Sequence, residues 1–199
     1  MWYVLLYMAT LYAIRACHHV LGSPDAFSPY FHDKYVSHLW LVRCHGVTAS
    51  LTLLLGPWLL SGWMRRCWPH LHRRLGKLYF AALIPAVAGG LVLSLMAFGG
   101  VWPRTALSLL SLGWGWTAWQ ACQAVRNGHI DQHQAWMLRH YSLTLAAVSL
   151  RIQSALYCGL GADFPSIYGY LAWLSWVPNL LLAEILIRWQ CRSQGNPRR

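Results

Sequence analysis

Six long apolar stretches, at 2–21, 38–62, 78–98, 105–125, 140–160 and 167–187, are separated by short loops rich in arginine and histidine. A helix needs about 20 mostly apolar residues to cross the hydrocarbon of a bilayer, so lipid is the expected solvent for stretches of this length. In lipid the backbone must satisfy its own hydrogen bonds, and helices do so within one segment. Composition agrees: 57% of the 199 residues are hydrophobic and only five side chains are acidic, too few charges to coat a water-soluble domain of this size. The expectation is an all-α, polytopic transmembrane helix bundle of six spans, one domain over 1–199 that ends in a short basic tail at 189–199. The first stretch is the weakest of the six, because Arg15, His18 and His19 fall in its last third. A five-span chain with a peripheral first helix therefore stays open. The apolar run begins directly after Met1, with no basic leader and no small-residue cleavage motif, and reads as an uncleaved span.

The net charge of +11 is distributed by loop. With the N-terminus inside, the inner segments hold Arg65, Arg66, Arg73, Arg74, Lys77, Arg126, Arg139, Arg188, Arg192, Arg198 and Arg199. The outer loops hold only Lys34 and Arg104, while Arg15, Arg43 and Arg151 lie within spans. This positive-inside bias places both termini in the cytoplasm. The lipid bilayer is the expected partner, with anionic headgroups drawn to 65–77. No basic face with interleaved aromatics leaves the membrane, which excludes nucleic acid.

Other features speak of packing. Trp58, Trp63 and Trp68 cluster at one predicted interface and Trp40 and Trp102 near the other, as interfacial belts do. Trp114, Trp116 and Trp119 are too deep for a belt and are expected to pack between helices or against a flat ligand. Ala82, Ala86 and Gly90 form a small-residue face that admits another backbone. Pro57, Pro85 and Pro178 interrupt three spans, which requires neighbours to satisfy the freed carbonyls. The six cysteines show no ligand spacing, and no structural disulfide is expected.

Chemistry would reside in the histidines and in the charges buried in lipid. His70 and His72 precede the third span, and His129, His133 and His140 approach and open the fifth. His18, His19, His32, His38 and His45 gather toward the opposite face. Three readings compete. One is bis-histidine ligation of haem b, with His72 and His133 as inner ligands and Arg73, Arg74 and Arg139 on the propionates, or His45 with His18 or His19 and with Arg43 or Arg151 on the outer side. A second is a non-haem metal site from His72, His129 and His133 with Asp131. In the third, the histidines bind no cofactor and hydrogen-bond to headgroups, carbonyls and one another.

Arg151 stands well inside the fifth span without an acid at matching depth. An uncompensated charge there costs several kcal/mol, so it must face protein, water or a ligand. Carbonyls, Asn179, a propionate, a lipid phosphate or a quinone oxygen would each serve. Glu184 is expected to pair with Arg188, four residues on.

These residues also carry a resemblance. The string His72-Arg73-Arg74-Leu75-Gly76-Lys77-Leu78-Tyr79 is followed by His133-Gln134-Ala135-Trp136-Met137-Leu138-Arg139, then Tyr141, Ala146-Ala147 and Arg151. With Trp173-Leu174-Ser175-Trp176-Val177-Pro178-Asn179, and with His45 ahead of Leu53-Leu54-Leu55-Gly56-Pro57, this order resembles the predicted bacterial membrane protein family known as domain of unknown function 2306. The likeness runs over about 38–188 and implies an integral membrane protein with His45, His72, His133, Arg139, Arg151 and Asn179 at the family's marked positions. His140, His70 and His129 stand outside that pattern. The family transfers no reaction.

Two functions follow as expectations. One is a b-type cytochrome-like electron-transfer or haem-handling protein, with cofactor contacts from His72, His133, His45, Arg73, Arg139, Arg151 and Asn179 and with a redox partner or a quinone. The alternative is a non-catalytic membrane partner or transporter-like protein whose His and Arg residues are structural or line a polar path. A homo-oligomer fits either. Hydrolase and transferase motifs are absent: there is no GxSxG, HExxH or phosphate-binding loop, so an enzyme, if any, would be an oxidoreductase subunit.

Overall fold

The computed structural model describes residues 2–194. Among them the regular elements are helices: α1 (Trp2–Leu21), α2 (His32–Ser37), α3 (Leu39–Leu60), α4 (Gly62–Cys67), α5 (Pro69–Leu95), α6 (Val101–Arg126), α7 (Ile130–Thr144), α8 (Ala146–Gly159), α9 (Phe164–Leu174) and α10 (Val177–Gln194), with a short 3-10 turn at Pro24–Ala26. The all-α bundle is as expected. The basic tail is helical through Gln194, and 195–199 lie outside the described residues.

Three segments are long and apolar enough to cross a membrane by themselves: Leu39–Leu60, Pro69–Leu95 and Phe164–Gln190. The expected fifth span is two helices, α7 and α8, interrupted at Leu145, and the sixth is α9 followed by α10. Helix α5 starts well before the expected 78, because Pro69 suits a first helical position, and it carries His70, His72 and Arg73 with it.

The long helices alternate in direction, so the bundle has two ends. One, here the aromatic end, packs Phe31 against Tyr35, Phe98, Phe164 and Tyr168, drawing the α1–α3, α5–α6 and α8–α9 connections together. The α5–α6 turn is made by Gly99 and Gly100, whose φ of 87° and 86° few other residues adopt. Basic residues at this end cap helix carbonyls. Arg43 donates to Val20 O and Gly22 O at the end of α1, Lys34 to Met96 O and Arg104 to Ala97 O at the end of α5. The cations that break the positive-inside pattern are thus spent on orphan carbonyls. The other end carries Arg65, Arg66, Arg73, Arg74 and Lys77 and is called the basic end.

Helix α3 packs on α1 and α5, α5 on α6, and α6 on α7. Ala82 and Ala86 are buried as their spacing suggests. Two of the three prolines of the expected spans, Pro57 inside α3 and Pro178 at the start of α10, have their freed carbonyls satisfied by the α7–α8 rod. Pro57 cannot donate to Leu53 O, and Tyr141 Oη does so at 3.1 Å. Pro178 leaves Leu174 O, which takes Gln153 Nε2 at 3.0 Å. Gly56 makes the first contact possible, since a Cβ there would overlap the Tyr141 ring.

Candidate functional site

Inside the half of the bundle toward the aromatic end lies a cavity of about 260 Å³. Its wall is mostly apolar, from Ala16, Val42, Leu53, Leu107 and Leu150 among others, and it includes His45 and Arg151. His45 is on α3, ~9 Å below its start at Leu39, and Arg151 is on α8, ~12 Å before its end at Gly159, by the 1.5 Å rise of a helix. Two residues 106 positions apart in the chain therefore meet at one depth.

His45 is set by α5. Its Nδ1 lies 2.7 Å from Ala86 O. A carbonyl only accepts, so in the neutral ring Nδ1 carries the proton and Nε2 is left as an acceptor. The ring fits because α5 has glycine here: a Cβ at Gly89 would come 2.9 Å from His45 Cβ, and one at Gly90 3.0 Å from Cε1 and 3.2 Å from Ser111 Oγ. Nε2 of His45 and the hydroxyls of Ser50 and Ser111, all in the cavity wall, have no hydrogen-bond partner among the described residues.

Arg151 has no carboxylate. Its guanidinium lies 3.5 Å from Ala147 O on its own helix and stands against Tyr12, with its carbon 5.2 Å from the ring centre and the phenol within its reach. Tyr12 in turn donates to Ala147 O at 3.2 Å, joining α1 to α8. Arg151 and Ala147 line the cavity and are also exposed, so the cavity opens sideways between α1 and α8 under the guanidinium. The expected contact of Arg151 with Asn179 does not form.

The floor of the cavity is Trp114 and Thr144, and behind it sits His140, fully buried. Its Nδ1 donates to Trp114 O at 3.1 Å, so Nε2 accepts from Tyr79 Oη at 2.8 Å. Trp114 stacks on the imidazole at an interplanar angle of 7° and gives its Nε1 proton to Thr144 Oγ1. His140, set aside by the resemblance, is the most deeply held histidine. The signal was its spacing, seven residues after His133 and four before Thr144, which marks the inward face of one helix.

The other expected site residues separate. At the basic end His72 and His133 do come together, near enough for their charges to interact. His133 Nδ1 donates to Ala121 O at 2.9 Å, and His72 Nδ1 is buried without a partner. Two of the three arginines assigned to propionates are engaged elsewhere: Arg73 donates to His70 Nδ1, and Arg139 holds Glu184 through Nε and Nη2 at 2.5 and 3.0 Å while stacking on Trp136. Glu184 thus pairs with Arg139 across the bundle rather than with Arg188 as expected; a cross-helix guanidinium offers it two parallel hydrogen bonds. Asn179 Nδ2 bonds Ser142 O, Ser149 Oγ and Ser175 O, so it fastens the two interrupted rods.

At the aromatic end, α1 contributes Tyr12, Ala16 and Val20 to the cavity, and His45 is the histidine in its wall. His19 packs on Phe27 and His18 is exposed outside that wall, so neither joins His45; Arg43 is a helix cap, while Arg151 does share the cavity with His45. Among the described residues no group of three or more His, Cys, Asp or Glu is placed to hold a metal ion, which removes the site built on His72, His129, His133 and Asp131. Trp114 packs inward as expected, whereas Trp116 and Trp119 are 54% and 50% exposed and contact each other at 5.0 Å. Two residues on from Trp114 is ~200° around a helix, the opposite face.

A family model described as "Predicted membrane protein (DUF2306)" matches residues 42–187. No curated protein matches the chain. No solved structure matches it either.

Proposed function

The chain belongs to the DUF2306 family of predicted membrane proteins, a family of unknown function, and on that premise we propose that it binds a lipophilic molecule with a polar head in the cavity between His45 and Arg151. The reading rests on one observation above all: a guanidinium without a counter-ion stands at the mouth of an apolar cavity. A charge at this depth is expensive unless something answers it. A carboxylate, phosphate or carbonyl oxygen on a ligand arriving from the bilayer would do so, with its tail left between α1 and α8. The volume is near the lower end of the usual ~300–1,000 Å³ for small-molecule pockets, which suits a head group or a short length of chain rather than a whole amphiphile.

In this reading α1, α3, α5, α6, α7–α8 and α9–α10 each cross the bilayer. The basic end lies in the cytoplasm with both termini, by the positive-inside rule, and the membrane is the bacterial inner membrane. The protein is then a binding or carrier protein, and His45 and Arg151 are its ligand contacts. The test is mass spectrometry of lipophiles that co-purify in mild detergent. Wild type is expected to retain a species that Arg151→Gln and His45→Leu lose; identical extracts from all three would overturn the proposal.

The haem reading has the proximity of His72 and His133 in its favour, with the unpartnered Nδ1 of His72. Two of its three propionate partners are engaged elsewhere, and the cavity does not reach either histidine. These residues do not fit a haem. The purified protein, reduced or oxidised, is expected to show no b-type absorption, and a reduced-minus-oxidised signal lost in His133→Ala would reverse that conclusion.

A further inference from the structure

The polar groups of the cavity differ in kind, and the difference narrows the ligand. Arg151 at the mouth can only donate. His45, within reach of the guanidinium's charge, presents Nε2, which in the neutral ring can only accept because Nδ1 is committed to Ala86 O. Ser111 Oγ, beside the imidazole, and Ser50 Oγ, elsewhere in the wall, are free to take either role. The floor between them is the flat indole of Trp114, fixed by its bond to Thr144 and its stack on His140.

A fatty-acid carboxylate or a phosphodiester group offers only oxygens that accept, which satisfies Arg151 and brings no donor of its own to the His45 lone pair. The matching ligand is a rigid ring with an acceptor oxygen on one side and a hydroxyl donor on the other. We infer that the cavity takes the ring of a lipid-tailed benzoquinol, one hydroxyl donating to His45 Nε2 and the opposite oxygen accepting from Arg151, with the tail leaving between α1 and α8. This rests on the cavity being a lipophile site, as proposed above. It carries a consequence that other lipophiles do not: the oxidised quinone has only acceptor oxygens, meets the His45 lone pair with its own, and binds more weakly than the quinol.

The experiment uses the full-length protein in phosphatidylcholine nanodiscs and a tritiated decyl-tailed benzoquinone, measured by scintillation proximity in its oxidised form and after reduction with dithionite, with palmitate as competitor. One neutral hydrogen bond is worth about tenfold in affinity, so wild type should hold the quinol about tenfold more tightly than the quinone. His45→Leu should abolish that ratio by weakening the quinol alone, His45→Gln should keep part of it through its amide oxygen, and Arg151→Gln should weaken both forms. Should His45→Leu fail to fold, the wild-type ratio decides by itself. Equal affinity for the two forms, or displacement of neither by excess unlabelled quinol, overturns the assignment. Palmitate bound with quinol excluded overturns the ligand class and leaves the cavity as a lipophile site, whereas no saturable binding of any probe together with no co-purifying lipophile removes both.

Discussion

His140 and His45 are separated by one indole, Trp114, and are held in opposite ways. His140 is enclosed on every side and both its nitrogens are bonded, Nδ1 to Trp114 O and Nε2 to Tyr79 Oη. His45 has one nitrogen bonded and the other beside a cavity in which Ser50 and Ser111 have no partner among the described residues and Arg151 has no carboxylate. A polar group buried with its partners rigidifies a fold, while one buried without them costs free energy until something binds. The same residue type thus serves the bundle in one layer and is available to a ligand in the next. The sorting extends outward: Arg139 has the carboxylate of Glu184, whereas Arg151 at the cavity mouth has none among the described residues and meets a carbonyl of its own helix and Tyr12.

This contrast can be broken from its satisfied side. Glu184→Ala would strip Arg139 of both hydrogen bonds within a partly exposed pair, and thermal unfolding in detergent should report a loss of about 2–3 kcal/mol, discounted from the ~3–5 of a fully buried pair. Tyr79→Phe leaves His140 Nε2 without a donor in a closed environment and should cost about 1–2 kcal/mol in the same assay. A smaller effect is expected where a proline is repaired by its neighbour. Tyr141→Phe withdraws the donor to Leu53 O for about 0.6–1 kcal/mol, and in a Pro57→Ala background most of that cost should vanish, because the helix then supplies its own N–H. An undiminished cost in the double variant would show that Tyr141 acts through its ring and not its hydroxyl. The smallest change belongs to the unsatisfied side: Arg151→Gln should leave stability within about 0.5 kcal/mol while ligand retention is lost. A large destabilisation there would make Arg151 a structural residue like Arg139 and erase the contrast.

Much of the fold was legible. Apolar length located the rods to within a few residues at α3 and α6, since lipid demands long helices and leaves little else for such segments. The need to relieve Pro57 and Pro178 was also visible, though not that Tyr141 and Gln153 would meet it. Of the site, His45 and Arg151 stood out because a titratable or charged residue in the middle of an apolar run needs a reason. The partners did not. Glu184 sits four residues before Arg188, a spacing that suggests a local pair, and only the packing of α10 on α7 offers it Arg139. Trp116 and Trp119 were assigned inward by depth alone, although their position around the helix, opposite Trp114, argued against it.

What the sequence determined by itself was the solvent, the helical class and the inventory of costly groups, because transfer of apolar surface and of charge between water and lipid depends on residue type and run length. Which costly group is answered, and by what, was decided by the tertiary structure. Hydrogen bonds act over about 3 Å, and only the folding of α3, α5 and α8 around one cavity determines that His45 faces Arg151 across an apolar space while His140, on a neighbouring turn, is sealed between Trp114 and Tyr79.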